Sequence, residues 1–220
     1  CWPVIYGTAK IKPRALSWHK TYDGEKQYLH WMGAIADHAV DAIDEDLIEI
    51  NGNPRSFYGE SVTVEQRTGA LDQEPVSYFN ETISEKSVNM KLSTSHVTAR
   101  TDGNACQGLA VVLCWTAGLG YVSNDGSFTS LSAKLSLQRR KVGATEWTDI
   151  AAAEEIVTAN TGSRFYRVFR VDNVDETGAQ FDVRVKYTEA PQTGTRYRSD
   201  CYLVGIQEII SMMVGRTIFE

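Results

Sequence analysis

The chain has 220 residues, with 22 Lys+Arg against 28 Asp+Glu, giving a net charge of −6 at pH 7. Its 42% hydrophobic and 23% charged composition is that of a globular chain with material for a core, which argues against wholesale disorder. No long Lys/Arg run marks a dedicated duplex-DNA or anionic-membrane binder, and the longest apolar stretches, such as Leu109–Trp115, are far too short to span a bilayer as a helix.

At about 150 residues per domain the length suggests one or two domains. Taken in order, Trp2–Trp18 reads as two strands around Lys10–Arg14. Tyr28–Ile50 is ambiguous. Tyr28, Trp31, Met32, Ile35, Ala39, Val40 and Ile43 fall at helical spacing, yet Tyr28–Ala36 also suits a fully buried strand, with Leu47–Ile50 a second strand ending at Asn51-Gly52. Periodicity does not separate the two. The Gly-, Asn-, Pro- and Ser-containing stretch Asn51–Glu60 is the best domain boundary.

From about Ser61 the dominant period is two, that of a half-buried strand. In Phe181–Thr188 the residues Phe181, Val183, Val185 and Tyr187 point one way, and Asp182, Arg184, Lys186 and Thr188 the other. Leu131–Gln138 and Val88–Ser93 repeat the pattern; Val62–Arg67, Leu109–Trp115, Phe165–Val171 and Tyr202–Ile210 read as less strict strands. Turn clusters such as Thr101-Asp-Gly-Asn, Ser123-Asn-Asp-Gly and Pro191-Gln-Thr-Gly separate them. About seven or more short strands punctuated in this way imply a mainly β chain built around a two-sheet antiparallel sandwich.

The absence of an initiator Met and the apolar run Ile210–Gly215 near the end read as a piece of a longer chain; no signal-peptide pattern is present. Cys1, Cys106, Cys114 and Cys201 read as free buried thiols of a reducing compartment, with a Cys106–Cys201 disulfide as the lesser alternative.

Chemistry is sparse. The acidic stretch Asp37, Asp41, Asp44, Glu45, Asp46, Glu49 lacks the spacing of an EF-hand loop and reads as a solvated edge. His19, His30, His38 and His96 lack the spacing of zinc ligands. There is no Gly-x-Ser-x-Gly elbow, and Gly118-Leu-Gly120 is turn material rather than a dinucleotide loop. Arg139-Arg140-Lys141 has no aromatic residues interleaved with it in sequence and reads as a solvated hairpin tip. Trp115, Trp147, Tyr166 and Tyr187 read as core, with a sugar-binding face as the alternative. These residues propose no catalytic site, cofactor or metal, and so no enzyme.

Val62–Gln73, with its strand running into the Arg-x-Gly-x-x-x-Gln turn of Arg67, Gly69 and Gln73, resembles a recurring opening in the tail tip attachment proteins of lambda-like phages, the host specificity protein J family. The order of the downstream segments is similar too: Asn80-Glu81, the strand Ser87–Leu92, the apolar strand Leu109–Trp115, then Trp147, Thr161–Arg167, Phe181–Val185 and Gly205–Ile210. Upstream, Pro3–Gly7, His38–Asp44 and Ile48–Gly52 resemble the hub portion that precedes this region; Cys1-Trp2 and Met212–Glu220 depart from the pattern.

The resemblance implies a virion structural part, assembled in the host cytoplasm, in which residues 1–60 contribute to a trimeric tail hub. Residues 61–210 would then be an inserted β-sandwich, and 211–220 would return toward the hub. It tips Tyr28–Ala36 toward strand. It implies as partners further copies of the chain in a homotrimer, other tail-tip and distal tail proteins, the tape-measure protein, and a host receptor reached through parts outside this chain, with no sequence-specific nucleic acid. Apolar residues flanking the expected hub segments, Trp2, Val4, Tyr6, Ile209, Ile210, Met212 and Met213, are the candidate oligomer interface. A carbohydrate- or receptor-binding sandwich is the alternative reading.

Overall fold

The computed structural model of the chain describes residues 4–74, 76–79, 81–103, 106–172, 174 and 179–211. It divides into two compact units, Cys1–Trp18 with His30–Asn80, and His19–Leu29 with Glu81–Glu220.

In the first unit the chain is irregular from Val4 to Pro13, because Gly7 turns it (φ 73°) and Pro13 has no N–H to give to a ladder. The two strands expected within Trp2–Trp18 reduce to one, which opens β1 (Arg14–Asp23). β1 pairs with β2 (Lys26–Ala34). Of the segment that periodicity left open, Lys26–Ala34 is strand, but none of its residues is buried, which corrects the fully buried strand expected there; 35–44 form no regular element, and the second strand shortens to Glu49–Ile50.

β3 (Glu49–Ile50) and β4 (Asn53–Pro54) form a minimal hairpin. Its loop, Asn51 (φ 53°) and Gly52 (φ 81°), has the doubly left-handed backbone that Asn-Gly favours. Two 3-10 turns, Glu45–Leu47 and Arg55–Ser61, flank it.

Val62–Arg67 is extended but joins no ladder among the described residues, which corrects the strand expected there. Alternation reports where side chains point, not whether another strand's N–H and C=O lie within reach. Here the side chains of Glu65 and Arg67 turn back to hold the following loop. Ser77 N–H donates to Glu65 Oε2 (3.0 Å), and Arg67 Nε donates to the Glu74 carbonyl (2.7 Å).

The second unit contains a two-sheet sandwich. Its strands are β5 (Glu81–Lys91), β6 (Val97–Arg100), β7 (Gly108–Trp115), β8 (Gly120–Val122), β9 (Phe128–Thr129), β10 (Leu131–Lys141), β11 (Thr148–Asp149), β12 (Glu155–Ala159), β13 (Phe165–Asp172), β14 (Phe181–Tyr187), β15 (Tyr197–Arg198) and β16 (Cys201–Ser211).

One sheet runs β13-β7-β16-β5; the other runs β11-β10-β14-β6, with β12 also on β10. β15-β8-β9 forms a small third sheet. Every pairing of the two main sheets is antiparallel. The alternating strands meet the sandwich rule: Leu135 and Leu137 of β10, Val183 and Val185 of β14, and Leu113 and Trp115 of β7 face one core with Leu203 and Ile206. Burying each such side chain contributes about 1.5–3 kcal/mol.

β7 is the exception to alternation: all eight of its residues are buried. An uninterrupted apolar run is the signature of a strand covered on both faces. Its odd residues Leu109, Val111, Leu113 and Trp115 face the sandwich interior, and Ala110, Val112 and Cys114 face outward, where other side chains cover them.

Candidate interaction surfaces

The cover over β7 is the end of the β1–β2 hairpin. Tyr166 N–H donates to the Gly24 carbonyl (2.7 Å), and Gly24 bridges to the free edge of β13. The Tyr22 ring lies 5.0 Å from that of Tyr166, and both pack with Val112 and Cys114. Gln27 Nε2 donates to Tyr166 Oη, and Thr161 Oγ1 to Glu25.

Glu85 of β5 is the polar anchor. It accepts from Tyr22 Oη (3.0 Å) on one oxygen and from Gln207 Nε2 (2.8 Å) on the other. Burial first, then the neighbouring Glu85 carboxylate, pushes the Tyr22 phenol well above its ordinary range. Gly205 leaves room for that carboxylate, since a Cβ there would sit 3.1 Å from Glu85 Oε1.

The same outer face carries Arg170 of β13. Its guanidinium reaches Glu81 with two hydrogen bonds (2.7 and 2.9 Å) and Asp172 with a third (2.7 Å). In the pairing order β13, β7, β16 and β5, Arg170 and Glu81 lie on opposite edge strands. The small residues Gly108 and Ala110 of β7 leave space for that span.

The first unit is built differently. Phe79 is the only buried residue among its described residues. Leu16 (51% exposed), Trp18 (60%), Trp31 (49%), Leu47, Phe57, Leu71 and Tyr78 are all exposed. Among the expected interface residues, Val4 and Tyr6 are exposed (55% and 91%), Ile210 is half-buried, and Ile209 is buried within its own sheet. Trp2, Met212 and Met213 lie outside the described residues. The exposed aromatic residues of the hairpin are plain in the sequence, but the pattern around Trp18 and Trp31 assigns them no face.

What orders this unit is local and polar. Arg67 Nε holds the Glu74 carbonyl while Gly69 N–H donates to Gln73 Oε1 (2.9 Å), so the Arg, Gly and Gln of the turn motif act as a clasp. Gly69 adopts φ 92° where a Cβ would come within 3.0 Å of Ala39 Cα, and Val40 N–H donates to the Thr68 carbonyl (2.8 Å). His30 stacks on Tyr78 with centroids 4.4 Å apart. The His38 ring nitrogens lie 3.2 Å from Asp37 and 3.3 Å from the Ile5 carbonyl, so the two histidines serve separate contacts. The six acidic residues from Asp37 to Glu49 are all exposed.

A third surface is the outer face of the β11-β10-β14-β6 sheet. Asp182, nearly buried, accepts from Arg100 Nε (2.7 Å) on one oxygen and from Arg140 (3.1–3.2 Å) on the other. The Arg100 hydrogen bond, chiefly, holds its carboxyl below the usual carboxylate range against the effect of burial. Beside it, Arg184 donates twice to Gln138 Oε1 (2.6 and 2.9 Å), and Gln138 donates to Asp149 (2.9 Å).

The Trp147 ring lies against the guanidiniums of both Arg184 (4.1 Å) and Arg140 (4.6 Å). The aromatic partner missing from the Arg139–Lys141 run in sequence thus arrives from seven residues past Arg140 and through a neighbouring strand. Arg139 itself turns to the Phe181 ring (5.8 Å). Of the four aromatic residues read as core, Trp115, Tyr166 and Tyr187 are buried, and Trp147 is on this outer face. Cys106, Cys114 and Cys201 are buried and in no disulfide, and Cys1 lies outside the described residues.

A family model described as tip attachment protein J, FNIII-A domain, matches residues 82–212, the span from β5 through β16. No curated protein matches the chain.

Proposed function

The chain belongs to the phage tip attachment protein J family, through its FNIII-A domain, and on that premise we propose that it works by assembly rather than by chemistry on a substrate. It is a structural component of the phage tail tip, and hence of the virion. In the proposed role three copies associate as a homotrimer that closes the tail tube. Residues 1–60 contribute to the central hub, the insertion that begins near residue 61 carries the sandwich of Glu81–Ser211, and the residues that follow return toward the hub. Other tail-tip and distal tail proteins and the tape-measure protein are its neighbours. The host receptor is engaged by parts outside this chain, and assembly takes place in the host cytoplasm.

The observation that carries this reading is the first unit's want of a core. Ordering a residue costs about 1–2 kcal/mol of backbone entropy, and a unit with one buried residue among those described does not offset that from within. Its exposed Trp18, Trp31, Phe57 and Tyr78 supply the apolar area that an obligate interface of about 2,000 Å² or more requires. A sugar-binding face gains no support from Trp115, Tyr166 and Tyr187, which are buried.

Light scattering of the chain over a range of concentrations tests the reading, with an assembly of three times the 24.5 kDa chain expected. A monomer at every concentration, together with tail particles that show no threefold density at the tip by electron microscopy, overturns it.

A further inference from the structure

The chain carries two surfaces of opposite charge, one in each unit. Between Lys26 and Arg55 there is no Lys or Arg, while Asp37, Asp41, Asp44, Glu45, Asp46 and Glu49 fall in that interval, all exposed; Glu49 is paired with Lys10 (2.7 Å) and Glu45 with Arg55 (3.6 Å), so the segment's excess negative charge comes from its four aspartates. On the second unit, the face around Trp147 carries Arg100, Arg140, Arg184 and Lys186 against Asp182 and Asp149. The guanidiniums there are set in place. Asp182 and Gln138 fix their inner nitrogens and the Trp147 ring fixes their planes, so little side-chain entropy is left to lose on binding. The positive field of this face is felt nearby: after burial, Arg184 and Lys186 are what hold His96 below its ordinary range.

We infer that the Arg100–Arg140–Arg184–Lys186 face is a docking surface for the acidic segment 37–49 of a second copy of the chain. The inference rests on the self-association proposed above and gives it a direction. Each copy presents two different surfaces, one to each neighbour, which is the head-to-tail arrangement that closes into rings. The choice of a second copy follows from charge complementarity carried by the chain itself. The cations of this sheet face are spread over three strands, which suits several carboxylates on a segment rather than one small anion.

The test is a pair of charge reversals in the full chain, read by sedimentation velocity at low and high salt. Asp44→Lys/Asp46→Lys and, separately, Arg140→Glu/Arg184→Glu are each expected to weaken self-association about tenfold or more at low salt. Mixing the two reversed chains is expected to raise association above that of either variant alone, because two of the three contacts in a mixed trimer then pair matching surfaces; a contact made within one chain would not be recovered by mixing. Lys186→Glu, which leaves the Asp182 and Gln138 bonds untouched, is expected to weaken association in the same sense and guards against misfolding of the double arginine variant.

Reversed chains that associate like wild type, or a mixture that fails to recover, overturn this inference while leaving self-association in place. A wild-type chain that is monomeric under all conditions overturns both.

Discussion

Asp182 shows how much a single position in this sandwich carries. It is nearly buried on an outward-facing sheet surface and joins β6 to β10 through Arg100 and Arg140. Because its folded carboxyl is held low, its contribution is complete above the unfolded value of about 3.9 and is lost as pH falls through the folded value. Asp182→Asn is therefore expected to cost about 1–3 kcal/mol near neutral pH, with the gap between the wild-type and variant stability curves closing as pH falls below the unfolded value. Urea unfolding at several pH values measures this, and a constant gap down to low pH would contradict it.

Gly118 is a second such position. At φ 83° a Cβ would stand 2.1 Å from the Thr161 carbonyl oxygen, so Gly118→Ala must displace backbone. A loss of about 2–4 kcal/mol, or a Tm lower by roughly 4–16 °C, is expected by calorimetry. The sequence identified Gly118 as turn material and Asp182 as facing away from Val183, but neither the oxygen opposite Gly118 nor the arginine from β6 was visible, since both come from distant segments.

At the scale of elements, β7 and the β1–β2 hairpin belong together. The apolar run Leu109–Trp115 reads in sequence only as a less strict strand; that it is covered on both faces, and by what, comes from the fold. The cover is residues 19–29, some 80 residues upstream, anchored through Tyr22, Glu85 and Gln207. Cys114 reports on this contact, because it lies beneath Tyr22 and Tyr166 and burial raises its thiol above the ordinary range. In the native wild-type chain Cys114 is expected to resist alkylation. Tyr22→Ala is expected to raise its labelling rate about tenfold or more, as read by mass spectrometry of the Cys114 peptide. Unchanged labelling would mean that the hairpin end is not what shields it. Val62–Arg67 teaches the complementary lesson: its alternation is genuine, but the partner edge is missing among the described residues, so it serves as a side-chain clasp instead of a strand.

For the whole molecule, the two units differ in how they are stabilised. The second encloses a continuous core from Leu92 to Ile206; the first has Phe79 and a set of local polar contacts. Limited trypsin digestion of the dissociated chain is expected to cut first at Lys10, Arg14, Arg55 and Arg67, leaving a fragment that begins within or beyond Thr68–Glu81 and retains the sandwich. In the assembled state those sites are expected to be protected, and early cuts inside β7, β10 or β14 would contradict the difference in stability. Replacing Trp18 and Trp31 with Ser is expected to abolish association while shifting the Tm of the sandwich by no more than about 2 °C.

From the amino-acid sequence alone came the class of fold, the faces of β10 and β14, the end of a strand at Asn51-Gly52 and the turn motif at Arg67, Gly69 and Gln73. All of these depend on residues close together in the chain, where period and turn chemistry act directly. The pairing of Lys26–Ala34 with β1 and its lack of buried residues, the hairpin end as the second cover of β7, the Trp147–arginine array and the near-absence of buried residues among those described in the first unit emerged only in three dimensions. Each is set by which distant segment supplies a partner, and the spacing of residues along a chain carries no record of that.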